Sequence, residues 1–394
     1  MSQTEVQLIK NGAVVDADIN GMSSSKLSGA LPAISGASLT NLPTPTGKAR
    51  NLIINGAMQV AQRGTSSTSN DYLLDRWYTY SGSTSNTVTT SQVAITSGNA
   101  YDAGFRKAAK ISLSGAGTLA NTTEILFYQR IEAQDLANSG WNYKSASSFV
   151  TLSFWVKAST AQAYAAHLRT EDGTAYLYAF TYTVAQANVW QKITKTIPGN
   201  SNITIDDDNG SGLRVYVGVP AVGGNYDGAT PDTWIVSAND KFPPIPSTWL
   251  TAGASTFELT GVQFEVGSVA TDFEHRSFAD EIRRCRRYFC KYVGPLNINF
   301  VNEHPNNTAG YLHFPFYEEM RASPTETMGS SVNIGRPQVS VSQKIQSAAD
   351  ISPNCFNVIG WSGQGSLGST GDAYYRMSLS ESDANSTISC NAEL

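Results

Sequence analysis

A mainly β fold is predicted for these 394 residues, and three observations predict it. Charged residues make up only 15% of the chain and aromatic residues 10%, against a background rich in Ser, Thr, Gly and Asn that suits short strands joined by polar turns. Apolar runs of strand length recur through the middle of the chain between turn residues, at the spacing of a β-sandwich or jelly roll. Helical periodicity is convincing only in residues 277–292. The expected architecture is an N-terminal extended shaft segment (1–50), a central jelly-roll β-sandwich (51–276), a short linking helix (277–292) and a small C-terminal β domain (293–394), assembled as a trimer.

The first segment is set apart by its text. In "KLSGALPAISGASLTNL", residues 26–42, Leu27, Leu31, Ile34, Leu39 and Leu42 recur too thinly among Gly, Ser, Ala and Pro to bury one another. Gly29, Pro32 and Gly36 each disfavour helix by roughly 1 to 3 kcal/mol, so extended chain is expected. Such a chain leaves an apolar edge and unpaired backbone groups for another copy to cover. The Pro-rich "NLPTPTGKAR" then reads as a linker.

In the central region the clearest expected strands are "FVTLSFWVKA" (149–158), "TAYLYAFTYTV" (174–184), "WQKITKTI" (190–197), "LRVYVGV" (213–219) and "TFELTGVQFEVG" (256–267). Tyr176, Tyr178, Phe180 and Tyr182 share one face of the second of these. An aromatic row suits a sugar platform, but the opposite face is small and mixed, so the row is expected to fill the sandwich interior. In "SFADEIRRCRRYFCKY", Phe278, Ile282, Cys285 and Phe289 form one stripe, with Asp280 and Glu281 at the start and arginines toward the end, as the helix dipole favours. The arginines read as a solvated face or as partners in ion pairs between subunits. Later strands are expected at "GYLHFPF", "PQVSVSQ", "CFNVIGW" and "AYYRMSLS".

Charge and motifs exclude several classes. A net charge of −5 offers no basic excess for nucleic acid. No apolar run of about 18 residues and no secretory start is visible, so neither membrane insertion nor Sec export is expected. Cys285, Cys290, Cys355 and Cys390 show neither disulfide-scaffold density nor zinc spacing, and free thiols are expected. "GQGSLG" at 363–368 matches a dinucleotide fingerprint in letters only, because the following text is strand-like rather than helical. "DDDNGSG" at 206–212 begins like a calcium loop, but its twelfth position, 217, is Val where a calcium-ligating Glu is needed. A turn is expected there, with a structural calcium in another geometry as the alternative and no other cofactor. His167, His275, His304 and His313 lie in no catalytic motif, and neither GxSxG nor HExxH occurs, so no enzyme is expected.

Several stretches together carry a resemblance: "NLIINGAMQVAQRGTS…YLLDRWYTY", "FYQRIEAQDL", "VTLSFWVKAS", "DNGSGLRV", "FELTGVQFEVGSVATDFEHRSFADEIRRCRRYF", "HFPFYEEMRASPTETM" and the final "NAEL". In combination they resemble a module of bacteriophage tail-fibre and related virion fibre proteins, and residues 1–50 resemble the shaft repeats that precede such modules. The resemblance implies a trimeric receptor-binding fibre with a carbohydrate-binding-like jelly roll. It further implies a host surface polysaccharide as ligand and other virion proteins as partners through residues 1–50. A tail adaptor or head fibre and a glycan-degrading tail spike are the alternatives. Trp77, Trp141 and Trp155 fall at recurrent positions of the pattern, which implies framework roles. Glycan-binding residues are expected among aromatic residues in turns near Asn, Asp and Gly, and Tyr226, Trp249, Trp361, Tyr374 and Tyr375 fit that description.

Overall fold

The computed structural model describes residues 50–236, 239, 241–302, 309–329, 333–336, 339–349, 353, 355–362, 373–379 and 387–394; in the strands across 296–314, 333–349 and 356–378 it describes the backbone alone. Residues 49–394 form one compact unit. The expected shaft and the "GQGSLG" run lie outside the described residues.

In chain order the first strands are β1 (Ser66–Ser67), β2 (Tyr78–Gly82), β3 (Val88–Ala94), β4 (Lys107–Leu113), β5 (Glu124–Glu132) and β6 (Phe149–Ala158). There follow β7 (Ala163–Thr170), β8 (Tyr176–Thr183), β9 (Gln191–Pro198), β10 (Ser211–Val222), β11 (Trp234–Val236) and β12 (Thr256–Val266). Short helices α1 (Asn99–Asp102), α2 (Ala133–Ala137) and α3 (Thr248–Thr251) sit in the connections. Two six-stranded sheets result, ordered β1-β3-β4-β12-β6-β9 and β11-β8-β7-β10-β5-β2. Their strand pairs are antiparallel, as a jelly-roll sandwich requires.

Strand alternation places the core. Val150, Leu152, Phe154, Val156 and Ala158 of β6 all enter it, and they meet Tyr178, Phe180 and Tyr182 from β8. The aromatic row of β8 is therefore interior at those three positions, as expected, while Tyr176 stays half-buried. Trp77 stacks on Phe127 with ring centroids 4.9 Å apart, and its indole N–H donates to the Asn55 carbonyl at 3.0 Å. Much of the "NLIINGAMQV" text is explained by this packing. Asn55 Nδ2 donates to Val60 O at 2.8 Å and to Asp75 O at 3.0 Å, so the segment is pinned to the sandwich from within.

The linking helix is shorter than expected. Helix α4 spans Phe278–Arg286, started by Ser277, whose hydroxyl accepts from the Asp280 N–H at 3.1 Å. Its expected apolar stripe is only partly realised: Cys285 is buried, but Phe278 is 55% exposed. Glu281 is buried instead, accepting from the Asn55 N–H and lying 3.6 Å from Arg276. The residues expected to continue the helix form β13 (Phe289–Val293), because β21 (Thr387–Asn391) offers an edge to pair with. Between them come β14 (Leu296–Asn302), β15 (Ala309–Pro315), β16 (Thr325–Met328), β17 (Asn333–Arg336), β18 (Val339–Ala349), β19 (Cys355–Ser362) and β20 (Ala373–Leu379). They build a three-stranded sheet, β13-β21-β16, and a six-stranded sheet, β14-β20-β17-β18-β19-β15.

The four cysteines are free thiols. Cys290 lies on β13 directly opposite Cys390 on β21 rather than on the helix with Cys285. Arg287 donates to Glu132 at 2.8 and 2.9 Å, and Arg283 approaches Glu318 at 3.6 Å, so these arginines pair within the chain. No helix among the described residues is long and apolar enough to cross a membrane.

Candidate functional site

The outward parity of β6 carries Thr151, Ser153, Trp155 and Lys157, opposite to the core positions. Antiparallel register sets Trp155 between Thr260 of β12 and Lys192 of β9, in one row across the first sheet. Beside that row β12 bulges between Thr260 and Gln263, and Gly261 takes φ +61°. A Cβ there would lie 2.4 Å from the ring of Phe105, so only glycine lets that ring close over the strand.

Two segments wall the row into a cleft of about 260 Å³. One is the turn after α1, bringing Ala103 and Phe105; the other follows β12 and brings Asp272, Phe273 and His275. Their rings interlock: Phe105 and Phe273 centroids are 4.9 Å apart, Phe273 and His275 4.9 Å, and Phe105 and His275 5.1 Å. His275 Nε2 lies 3.2 Å from the Ala103 carbonyl. A carbonyl can only accept, so Nε2 carries the proton in this contact.

Buried polar side chains of β12 fix the second wall. Gln263 Nε2 donates to Thr271 Oγ1 at 3.2 Å and to Asp272 O at 3.3 Å, and its Oε1 accepts from the Glu274 N–H at 2.8 Å. Glu265, 1% exposed, accepts from the Thr271 N–H at 2.9 Å and the Thr271 hydroxyl at 2.6 Å. The side chains facing the cleft are differently placed. Among the described residues, neither the Lys192 ammonium, the Asp272 carboxylate nor the Ser153 hydroxyl has a protein partner. The half-buried Trp155 packs at its base against the cluster of Phe105, Ala108 and Trp190, so its indole is held by packing. A rigid indole beside a free cation, carboxylate and hydroxyl can pack on an apolar ring face and hydrogen-bond the hydroxyls around it.

Sequence reasoning gave Trp155 a framework role. "FVTLSFWVKA" is apolar nearly throughout, which hides the period-two parity separating Trp155 from its core neighbours. Ser153 and Lys157 on the same parity were the available signal.

The residues expected to bind glycan lie elsewhere. Trp249 on α3 is fully buried in the sandwich core, with its indole N–H donating to Thr256 O at 2.9 Å and its main-chain N–H donating to Gln162 Oε1 at 2.9 Å. With no accessible ring face, it is a core residue rather than a glycan contact. Tyr226 is half-buried on the outer face of the second sheet, where its carbonyl accepts from the Phe242 N–H at 2.8 Å. Trp361 falls on β19 opposite Ile345, and Tyr374 and Tyr375 on β20 opposite Val301 and Phe300; their side chains lie outside the described ones. The structure brings neither Tyr226 nor Trp249 to the cleft.

The "DDDNGSG" stretch is a structural turn. Asp208 O accepts from the Gln134 N–H at 2.8 Å and Gly210 O from the Ala133 N–H at 2.9 Å, tying it to α2, while Asp207 Oδ1 accepts from Asn138 at 2.9 Å. Among the described residues no group of three His, Cys, Asp or Glu side chains is placed to hold a metal ion.

No protein-family model matches the sequence, and no curated protein matches it. Among solved structures the chain is similar to the enzymatically active domain of tailspike protein 4 of bacteriophage CBA120, with 15% identity and a TM-score of 0.29, covering 55% of this chain and 21% of the other. It is similar to a CBM4 structure, with 16% identity, a TM-score of 0.29 and coverage of 54% of this chain and 98% of the other. It is also similar to TmCBM61, solved in complex with β-1,4-galactotriose, with 10% identity, a TM-score of 0.26 and coverage of 56% and 100%. This chain thus spans about a fifth of the tailspike domain's length. At such scores and identities these likenesses assign neither family nor function.

Proposed function

We propose that this chain is a virion fibre protein of a bacteriophage that recognises a host surface glycan through the Trp155 cleft without cleaving it. The observation that carries the reading is the partly buried Trp155, packed against the Phe105, Ala108 and Trp190 cluster and lining the cleft with Lys192, Asp272 and Ser153, whose side chains have free hydrogen-bonding capacity. The resemblance of the sequence motifs to phage fibres supplies the biological setting, with residues 1–50 as the trimeric shaft that attaches to other virion proteins. Binding without cleavage is supported by the composition of the cleft. Among the described residues Asp272 is its one lining carboxylate, whereas glycoside hydrolysis in its usual form works with two.

The test is incubation of the purified protein with host cells and with their extracted surface polysaccharide. Retention on both, loss of retention in Trp155→Ala, and an unchanged polymer mass are expected. Shortening of the polymer would establish a tail spike, and absence of any retention by a folded protein would favour a purely structural fibre.

A further inference from the structure

We infer that the Trp155 cleft takes a single sugar ring, a chain end or a one-residue branch bearing free adjacent hydroxyls, rather than an internal stretch of polymer. This deepens, and rests on, the glycan-binding reading above.

Size is the first argument. The cleft encloses about 260 Å³, below the range of about 300 Å³ and upward that surrounds drug-sized ligands. Closure is the second. A site for an internal segment needs an open exit on both sides of the bound ring, and Phe105, Phe273 and His275 form one continuous aromatic wall that removes the exit on their side. The segment of that wall carrying Phe273 is fixed by Gln263 and Glu265, buried side chains with 0% and 1% exposure, so moving it aside means breaking a satisfied buried network.

The lining chemistry names the class of ligand. The Trp155 indole offers an apolar face to the C–H side of a pyranose. Asp272 brings two acceptor oxygens suited to neighbouring hydroxyls, Lys192 brings donors for a hydroxyl or ring oxygen, and Ser153 can donate or accept. One free cation and one free carboxylate together give the site no bias toward a charged sugar. A neutral hexose with unsubstituted neighbouring hydroxyls satisfies the set; a methylated or acetylated one leaves Asp272 and Lys192 desolvated without partners.

The experiment is competition for retention on the host polysaccharide. The competitors are free glucose, galactose, mannose and N-acetylglucosamine, the linear hexasaccharide of each, and the per-O-methylated monosaccharides. The expected result is that one monosaccharide competes, its hexasaccharide gains less than about tenfold per mole, and its methylated form fails. Lys192→Ala, a change at an exposed side chain, is expected to weaken that competition at least tenfold while thermal unfolding stays where it was. A gain of about tenfold or more with length, about 1.4 kcal/mol of added contact, overturns the single-ring inference and leaves glycan binding standing. So does undiminished competition in Lys192→Ala. If neither host polysaccharide nor any sugar binds the folded protein, the glycan-binding reading itself falls.

Discussion

Asp75 is fully buried where the "NLIINGAMQV" segment meets the sandwich, and its two carboxylate oxygens accept from the Gln62 side chain at 2.6 Å and the Gln62 N–H at 2.7 Å. Burial raises its pKa to about 6, against the opposing pull of Arg63 and of the Gln62 hydrogen bonds. Between about pH 4 and 6 the folded protein therefore keeps a proton that the unfolded chain has released, so this residue's contribution to stability falls as pH rises through that window and is level above it. A rise of this size corresponds to on the order of 3 kcal/mol. Glu132 works in the opposite sense: although burial would raise it, hydrogen bonds from Arg287 and Tyr288 hold it below the usual range, and its contribution is lost in acid. The Asp75 effect is thus isolated by difference. Urea midpoints of the natural protein relative to Asp75→Asn should fall between pH 4 and 7, and a flat difference would show that Asp75 titrates normally. The two tryptophans make a second test at this scale. Trp249→Ala removes a core indole and should cost about 3 to 5 kcal/mol in denaturant unfolding while leaving glycan retention of the folded protein intact. Trp155→Ala should do the reverse. Loss of retention in folded Trp249→Ala would place the ligand elsewhere than the Trp155 cleft.

Among elements, β21 holds the most exacting position, paired with β13 on one edge and β16 on the other. The residues after it bind the sandwich directly. Glu393 pairs with Arg76, and the two side chains are only 4% and 1% exposed. Burial alone would lower the Arg76 pKa, and the Glu393 carboxylate together with the Tyr288 and Tyr72 hydroxyls more than offsets it. The Arg76 guanidinium also lies 3.4 Å from the centroid of the Tyr288 ring. Removing one partner of such a pair leaves an uncompensated buried charge, so Glu393→Ala should cost about 3 to 5 kcal/mol. The double change Arg76→Met with Glu393→Leu should cost less than Glu393→Ala alone, as read by chemical denaturation; equal or greater loss would mean the pair is not held dry. Sequence alone could not have found this clamp, since its partners are more than 300 residues apart in the chain and "NAEL" has no periodicity. The same distance explains the overlong helix. "YFCKY" continues the helical text, but those residues join β21, and tertiary pairing overrides local pattern. Strands β6 and β12 were legible to within a residue even though their sheet partners are distant in sequence, because turn signals bound their apolar runs. The cleft was not, because its walls come from the turn after α1 and the tail of β12, and neither stretch carries a ligand-binding motif.

At the scale of the whole molecule, if the Trp155 cleft takes one sugar ring as proposed, it makes few contacts, and a fibre built on it would have to obtain its hold on a cell from number rather than strength. The proposed shaft, residues 1–50, would supply the means. Leu27, Leu31, Ile34, Leu39 and Leu42, preceded by Val6, Leu8, Ile9, Val14, Val15 and Ile19, are too sparse to form a core in one chain. Each large apolar side chain fully buried contributes roughly 1.5 to 3 kcal/mol, so three copies running in parallel would gain enough to offset much of the cost of ordering an extended chain. Closed threefold symmetry would also point three clefts the same way. With linked sites the second and third contacts become intramolecular, and avidity for a repetitive polysaccharide can exceed single-site affinity by about 10² to 10⁴ without any new contact. Light scattering on the full chain should therefore give about three times 42.3 kDa. A chain beginning at residue 49, the start of the compact unit, should give a single chain mass. That shortened protein should keep the monosaccharide competition of the full chain in solution yet release quickly from a polysaccharide-coated surface. A full-length monomer at micromolar concentration, or equal surface retention of the two forms, would refute the trimeric fibre.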